Sequence, residues 1–342
     1  MQLRRIPGHL RHLNWYVAPP SEIPLVSDLD EWLPLPDLTE VTISWPNRYS
    51  SRPGSFCLEM IKDALKRIVP IEVREVSPRD REWHARGGFP MPEDKKGLIG
   101  TPCNPKSRND IRGDIFEVRR GKRIVRCAYD YSDFPIVSIE IAAQVDLYFK
   151  CLAPKSAIPT NVVRTGYFPS HPRLLAKARS MIFKRGVARS IDVYGRFGTW
   201  TDSQEIRERL VSRMLKSSLR FRGGLGTVVC PAYLKELMRT KIALDAPGQG
   251  PITYRLPEAM ALGAVVVCAP PACAFPEALE DGVHYVATKE DYSNVVEVCE
   301  GLLKDEERMS KVARNAMKFF DRNFSPQSIA RRILRGAGQL LN

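Results

Sequence analysis

Residues 241–268, KIALDAPGQGPITYRLPEAMALGAVVVC, restrict the fold more than any other stretch of the chain. Ile242-Ala243-Leu244 is a short apolar run suited to a buried strand that ends at Asp245. Pro247-Gly248-Gln249-Gly250-Pro251 follows, and a loop with this density of proline and glycine can be neither helix nor strand. The spacing then predicts a compact helix over 254–262, stopped by Gly263 just past its end. Ala264-Val265-Val266-Val267-Cys268 is an unbroken β-branched run of the kind buried on both faces of a parallel sheet. Strand, glycine loop, helix and strand make a βαβ unit whose loop lies at the carboxyl edge of the sheet, where open α/β sheets bind ligands. Bare amides in the loop and at the helix N-terminus predict an anionic ligand such as phosphate.

The run Glu258-Ala259-Met260-Ala261-Leu262-Gly263-Ala264-Val265-Val266 resembles the donor-nucleotide site of GT-B glycosyltransferases. In that family a glycine-rich loop precedes a helix beginning Glu-Ala-Met-Ala-x-Gly and then a Val-rich strand. The resemblance covers about the C-terminal half of the chain. It implies an α/β fold of two Rossmann-like domains facing across a cleft. It also implies transfer of a sugar from a nucleotide-diphosphate sugar, most commonly a UDP-sugar, to an acceptor hydroxyl without a bound metal. Glu258 takes the position of the glutamate that grips the ribose. Many retaining members have a second glutamate eight positions earlier, where this chain has Gly250. That departure leaves inversion and retention both open.

With 342 residues the chain is long enough for two domains with separate cores. A strand over 41–45, an amphipathic helix over 56–68 and a strand over 71–76 make the first half Rossmann-like as well. A proline- and glycine-rich shift over 153–172 suits a hinge. The expected division is an acceptor-side domain over 1–160 and a donor domain over 161–325. The basic helix over 326–342 would cross back to the first domain, as the resemblance implies. Residues 79–109 form a long polar segment of the kind used for acceptor loops or left flexible. Asp28-Leu29-Asp30 has the form of a metal-binding D-x-D, but no strand precedes it and a turn or helix cap explains it better.

Lysine and arginine number 52 against 39 acidic residues, a net charge of +13 that favours polyanionic partners such as nucleotides, nucleic acid or an anionic membrane surface. No apolar run approaches the ~20 residues that span a bilayer, and the N-terminus lacks the apolar core of a signal peptide. A cytoplasmic protein is expected, and its charge would suit association with DNA or an anionic membrane. Eight cysteines without a C-x-x-C pair read as buried thiols in a reducing compartment.

A nucleotide-sugar site needs cations or amides for the diphosphate and a carboxylate for the ribose. Arg196, Lys241 and Arg255 are the candidate cations, Gly248 and Gly250 the points of close backbone approach, and Glu258 the ribose ligand. Ordinary surface ion pairs use the same arginines and lysines, and a carboxylate early in a helix is a common macrodipole partner. An inverting transfer further requires a general base from the first domain. Asp130 and Asp133 follow a strand and His84 lies beside Gly87-Gly88, so these are the candidates. The acceptor could be a glycan or lipid-linked carbohydrate, or a hydroxylated base in DNA such as a 5-hydroxymethylpyrimidine flipped from the duplex. Competing readings are a non-catalytic nucleic-acid-binding protein on the same scaffold, and a sugar-nucleotide epimerase or phosphorylase.

Overall fold

The computed structural model describes residues 13–16, 20, 22–47, 56–75, 98–99, 113–199 and 203–342. The candidate His84 and most of the 79–109 segment lie outside the described residues.

The first half opens as expected. Strand β1 (Val41–Pro46), the helix Phe56–Leu65 and strand β2 (Ile71–Arg74) form a parallel βαβ unit, with Ile43 opposite Ile71. Two short strands, β3 (Leu98–Ile99) and β6 (Val137–Ser138), make a separate antiparallel ribbon. Between them in the chain, β4 (Gly113–Arg120) and β5 (Arg123–Asp130) form a hairpin across Gly121-Lys122. Gly121 has φ +56°, the left-handed conformation that so tight a turn requires. The hairpin makes this sheet mixed. Its order is β2-β1-β4-β5-β7-β8, where β7 is Leu147–Lys150 and β8 is Val162–Arg164, and β4 alone runs against its neighbours.

The second sheet is parallel throughout. Its strands are β9 (Ile191–Phe197), β10 (Phe221–Leu225), β11 (Thr240–Leu244), β12 (Val265–Cys268) and β13 (Val286–Ala287), in the order β10-β9-β11-β12-β13. The chain therefore steps from β9 out to β10 and returns to β11 on the other side of β9. The gap between β9 and β11 is the topological switch point, where open parallel sheets form a crevice at their carboxyl ends. The glycine-bearing segments 195–197 and 221–224, whose composition suits a turn and a loop, are strand. Gly195 and Gly223 pair so closely that a Cβ on Gly223 would come within 1.9 Å of the Gly195 carbonyl oxygen. Glycine-rich strands of this kind carry no side-chain signature.

Asp28 is a helix cap, accepting from the Asp30 and Glu31 amides at 2.8 and 3.3 Å. The seven described cysteines are free thiols and six of them are buried. Among the described residues no helix is long and apolar enough to cross a membrane.

The two sheets are not joined by a hinge alone. One apolar cluster runs from Ile43, Trp45 and Phe149 in the first sheet to Ala243 and Val266 in the second, and includes Met260, Phe319 and Ile333 from the helices. The helix Pro326–Leu341 returns to the first half and packs on the helix Phe56–Leu65 and on β4, β5 and β7. Just before it, Asp321 is fully buried, pairs with buried Arg179 at 2.5 Å, and accepts from the amides of Val26 and Ser27. The crossing segment passes at Gly166, whose φ is +88°. A Cβ there would meet the Asn323 carbonyl oxygen at 2.0 Å, so only glycine fits.

Candidate functional site

A cavity of about 340 Å³ opens at the switch point. Arg196 and Gly198 reach it from the end of β9, Gly248, Gln249 and Gly250 from the loop after β11, and Arg255 and Glu258 from the helix Arg255–Ala261. Asp133 closes it from the first half, and Ser170 and Tyr167 from the crossing segment.

Glu258 is 2% exposed, at the inner wall. Its Oε1 accepts from the Ser170 amide at 2.9 Å and from the Ser170 hydroxyl at 2.6 Å. The Tyr233 hydroxyl lies beside the same carboxylate and favours its ionised form. Burial pushes the Glu258 carboxyl above its usual range, and the Ser170 contacts offset part of the shift.

Asp245 ends β11 and organises the loop. It is buried, pairs with Arg255 Nη1 at 2.9 Å, and accepts from the Thr253 hydroxyl and amide at 2.5 and 3.2 Å. Burial raises its pKa too, against the pull of Arg255. The Arg255 guanidinium also donates to the Arg196 carbonyl and stacks 4.6 Å from the Phe197 ring. The side chain of Arg196 turns to Glu236, donating at 2.8 and 3.1 Å, and Glu236 is shared with Arg222.

The helix N-terminus differs from the expectation of an open anion site. The Arg255 amide is taken by the Thr253 hydroxyl at 3.2 Å and the Leu256 amide by the Thr253 carbonyl at 3.1 Å, while Pro257 has none. A threonine and a proline have filled the first turn.

Gly250 explains itself through a contact from the other half of the chain. A Cβ at this position would lie 2.1 Å from the Asp133 carbonyl oxygen and 3.3 Å from the Asp133 Cβ. The backbone of Asp133 therefore packs directly on Gly250. The Asp133 carboxylate accepts from the Tyr167 hydroxyl at 2.8 Å, and Tyr167 stacks on Tyr254 with ring centres 5.3 Å apart.

Two of the sequence candidates do not reach the cavity. Lys241 sits near the amino end of β11, bonded to Asp192 at 2.9 Å, because side chains at a strand's start face away from the carboxyl edge. Asp130 is fully buried and held by Lys150 Nζ at 2.9 Å, the Tyr148 hydroxyl at 2.5 Å and Ser132 at 2.6 Å. With no exposed oxygen it cannot take a proton from an acceptor, and it is a structural anchor.

Sequence reasoning missed Arg207, Ser170 and Asp245. Arg207 carried a legible signal. It falls with Leu210, Val211 and Met214 at helical spacing on the buried stripe of the helix Gln204–Lys216, where an arginine is out of place. Ser170 reaches Glu258 across 88 positions of chain, and Asp245 bonds to Thr253 and Arg255 across the glycine loop, contacts that no periodic pattern announces.

Residues 173–335, a little under half of the chain, match the family described as glycosyl transferase-like. Solved structures align over parts of the chain at low identity. HepE from Anabaena, solved with UDP, is 17% identical over 59% of this chain and 65% of its own, with a TM-score of 0.38. The C-terminal domain of the group 1 glycosyl transferase LpcC from Francisella tularensis is 13% identical over 45% of this chain and 94% of its own, TM-score 0.31. A glycosyltransferase from Rickettsia africae is 11% identical over 86% of this chain and 84% of its own, TM-score 0.43. No curated protein matches the sequence.

Proposed function

We propose that the protein transfers a sugar from a nucleotide-diphosphate sugar to an acceptor hydroxyl. The carrying observation is Glu258, a buried carboxylate that lines the switch-point cavity with one oxygen held by Ser170, within the matched region. In this reading Oε2 accepts from a ribose hydroxyl. The diphosphate lies beside Gly248, whose lack of a side chain permits backbone approach, near Arg196 and Arg255. UDP is the first nucleotide to test. Charge on the departing diphosphate would be met by arginines rather than by a metal, so the reaction would proceed without one.

The acceptor would enter from the first half of the chain, with residues 1–160 as acceptor domain, 161–325 as donor domain and 326–342 as the returning helix. Asp133 is the carboxylate that lines the cavity from that side. If the configuration is inverted, Asp133 takes the acceptor proton. A glycan or lipid-linked carbohydrate is the acceptor class in this reading, and the surplus positive charge keeps a DNA base as the second one to assay.

The test is thermal stabilisation by UDP, GDP, ADP, CMP and dTDP, applied to the wild type and to Glu258→Ala. A ligand at about 100 times its Kd adds about 2.7 kcal/mol of stability. One nucleotide should stabilise the wild type and fail on the variant. Asp133→Asn should keep that binding and lose transfer. No stabilisation by any nucleotide, together with salt-sensitive DNA binding, would replace this reading with that of a nucleic-acid-binding protein.

A further inference from the structure

Arg207 is a charge without a counter-charge. It is 4% exposed, yet it lines the cavity. Its Nε donates to the Pro247 carbonyl at 2.9 Å and its Nη1 to the Gly198 carbonyl at 2.8 Å. Among the described residues no carboxylate stands within ion-pair distance, and Nη2 makes no hydrogen bond. That nitrogen lies 3.4 Å from the point a Gly248 Cβ would occupy, on the loop that walls the cavity. A buried guanidinium held by two carbonyls and the face of the Phe197 ring, without a direct ion pair, is poorly compensated, and an anion alongside would relieve it. Burial and the neighbouring Arg255 push its pKa down, in keeping with that deficit.

The other two cavity arginines are engaged. Arg255 is committed to buried Asp245, and Arg196 makes both ends of a fork with Glu236. The first turn of the helix Arg255–Ala261 has no amide to give. We propose that Arg207 is the phosphate-recognising residue of the site, with Nη2 donating to a diphosphate oxygen of the donor beside Gly248. The two carbonyls fix its fork in place before the ligand arrives, so little side-chain freedom is lost on binding. This assignment rests on the nucleotide-sugar reading of the cavity and adds to it the residue that discriminates a diphosphate from a bare nucleoside.

The experiment is calorimetric titration of UDP, UMP, uridine and inorganic pyrophosphate into the wild type, Arg207→Gln, Arg207→Lys and Arg255→Gln, after circular dichroism shows each folded. A charge-assisted bond to phosphate corresponds to about 10- to 100-fold in affinity. Arg207→Gln should lose UDP and pyrophosphate by that factor while uridine changes less than about twofold. Arg207→Lys, which keeps the charge, should retain most of the preference for UDP over uridine, and Arg255→Gln should lose less of it than Arg207→Gln. Equal losses for UDP and uridine in Arg207→Gln would make Arg207 a brace for the loop and overturn the assignment, as would undiminished UDP binding. If Arg207→Gln does not fold, loss of the preference in Arg207→Lys serves as the overturning result. Should the wild type bind pyrophosphate through Arg207 but no nucleotide, the anion site stands and the donor reading falls. Binding of neither removes both.

Discussion

Glu258 illustrates how a single carboxylate can oppose stability while it serves binding. Its pKa is raised by burial, so the folded state holds this proton more tightly than the unfolded chain does. Ionised Glu258 therefore subtracts from stability at neutral pH, and the subtraction fades as pH falls through the raised folded value toward the ordinary 4.5. Glu258→Gln should accordingly be as stable as the wild type at neutral pH, or more so by up to about 1 kcal/mol in urea denaturation. Nucleotide binding should behave in the opposite sense. Wild-type affinity is expected to drop on acidification before an ordinary glutamate would titrate, because protonation removes the acceptor, whereas the Gln variant binds weakly and flatly across the same window. Gly250 makes a second residue-scale prediction. A methyl group there meets a backbone carbonyl that cannot rotate away, so Gly250→Ala should destabilise by about 1–3 kcal/mol and weaken nucleotide binding. Gly248→Ala, facing the end of the Arg207 side chain at 3.4 Å, should be tolerated better in the same denaturation assay.

At the scale of elements, the buried cluster of Asp130, Lys150, Ser132 and Tyr148 ties the carboxyl ends of β5 and β7 together. Removing one member strands the charge of the other, so Lys150→Met should cost about 3–5 kcal/mol by chemical denaturation. The double change Lys150→Met with Asp130→Leu should recover a large part of that loss. The same cluster marks where sequence reading stops. A strand end was legible from the pattern before Asp130, and so was an acidic residue at the ligand-binding edge. That Lys150 faces it from the neighbouring strand is a matter of register between segments 20 residues apart, which periodicity does not encode. The βαβ unit of β11 and β12 was legible because glycine, proline and β-branched residues act locally. Strand β10 was not, since Gly223 and Gly224 signal a loop and their strand geometry depends on pairing with β9. The pairing of Arg255 with Asp245 follows from the burial of the aspartate, which sequence alone left unmarked.

Across the whole molecule, a continuous apolar cluster and the bonds of the Val26 and Ser27 amides to Asp321 bind the two halves more tightly than the picture of two domains across a cleft suggests. Asp321→Asn leaves Arg179 buried without its counter-ion and releases the Val26 and Ser27 amides, so a loss of about 3–5 kcal/mol is expected. Because both halves meet at this residue, the loss should appear by tryptophan fluorescence and by circular dichroism with one midpoint rather than two. The general two-sheet form was legible because each sheet has its own strand periodicity. Its interlocking was not, because that depends on where the chain returns.

The helix Pro326–Leu341 completes the apolar cover of a sheet whose strands were made some two hundred residues earlier, and this bears on how the protein is born. On the ribosome, the second sheet has all its strands before the first sheet has its last covering helix. The earlier-made sheet is therefore finished after the later-made one, and the helix Phe56–Leu65 must wait with an uncovered apolar face until Pro326–Leu341 emerges. Nascent-chain chaperones that hold exposed apolar surface would find their target there, in the oldest rather than the newest segment.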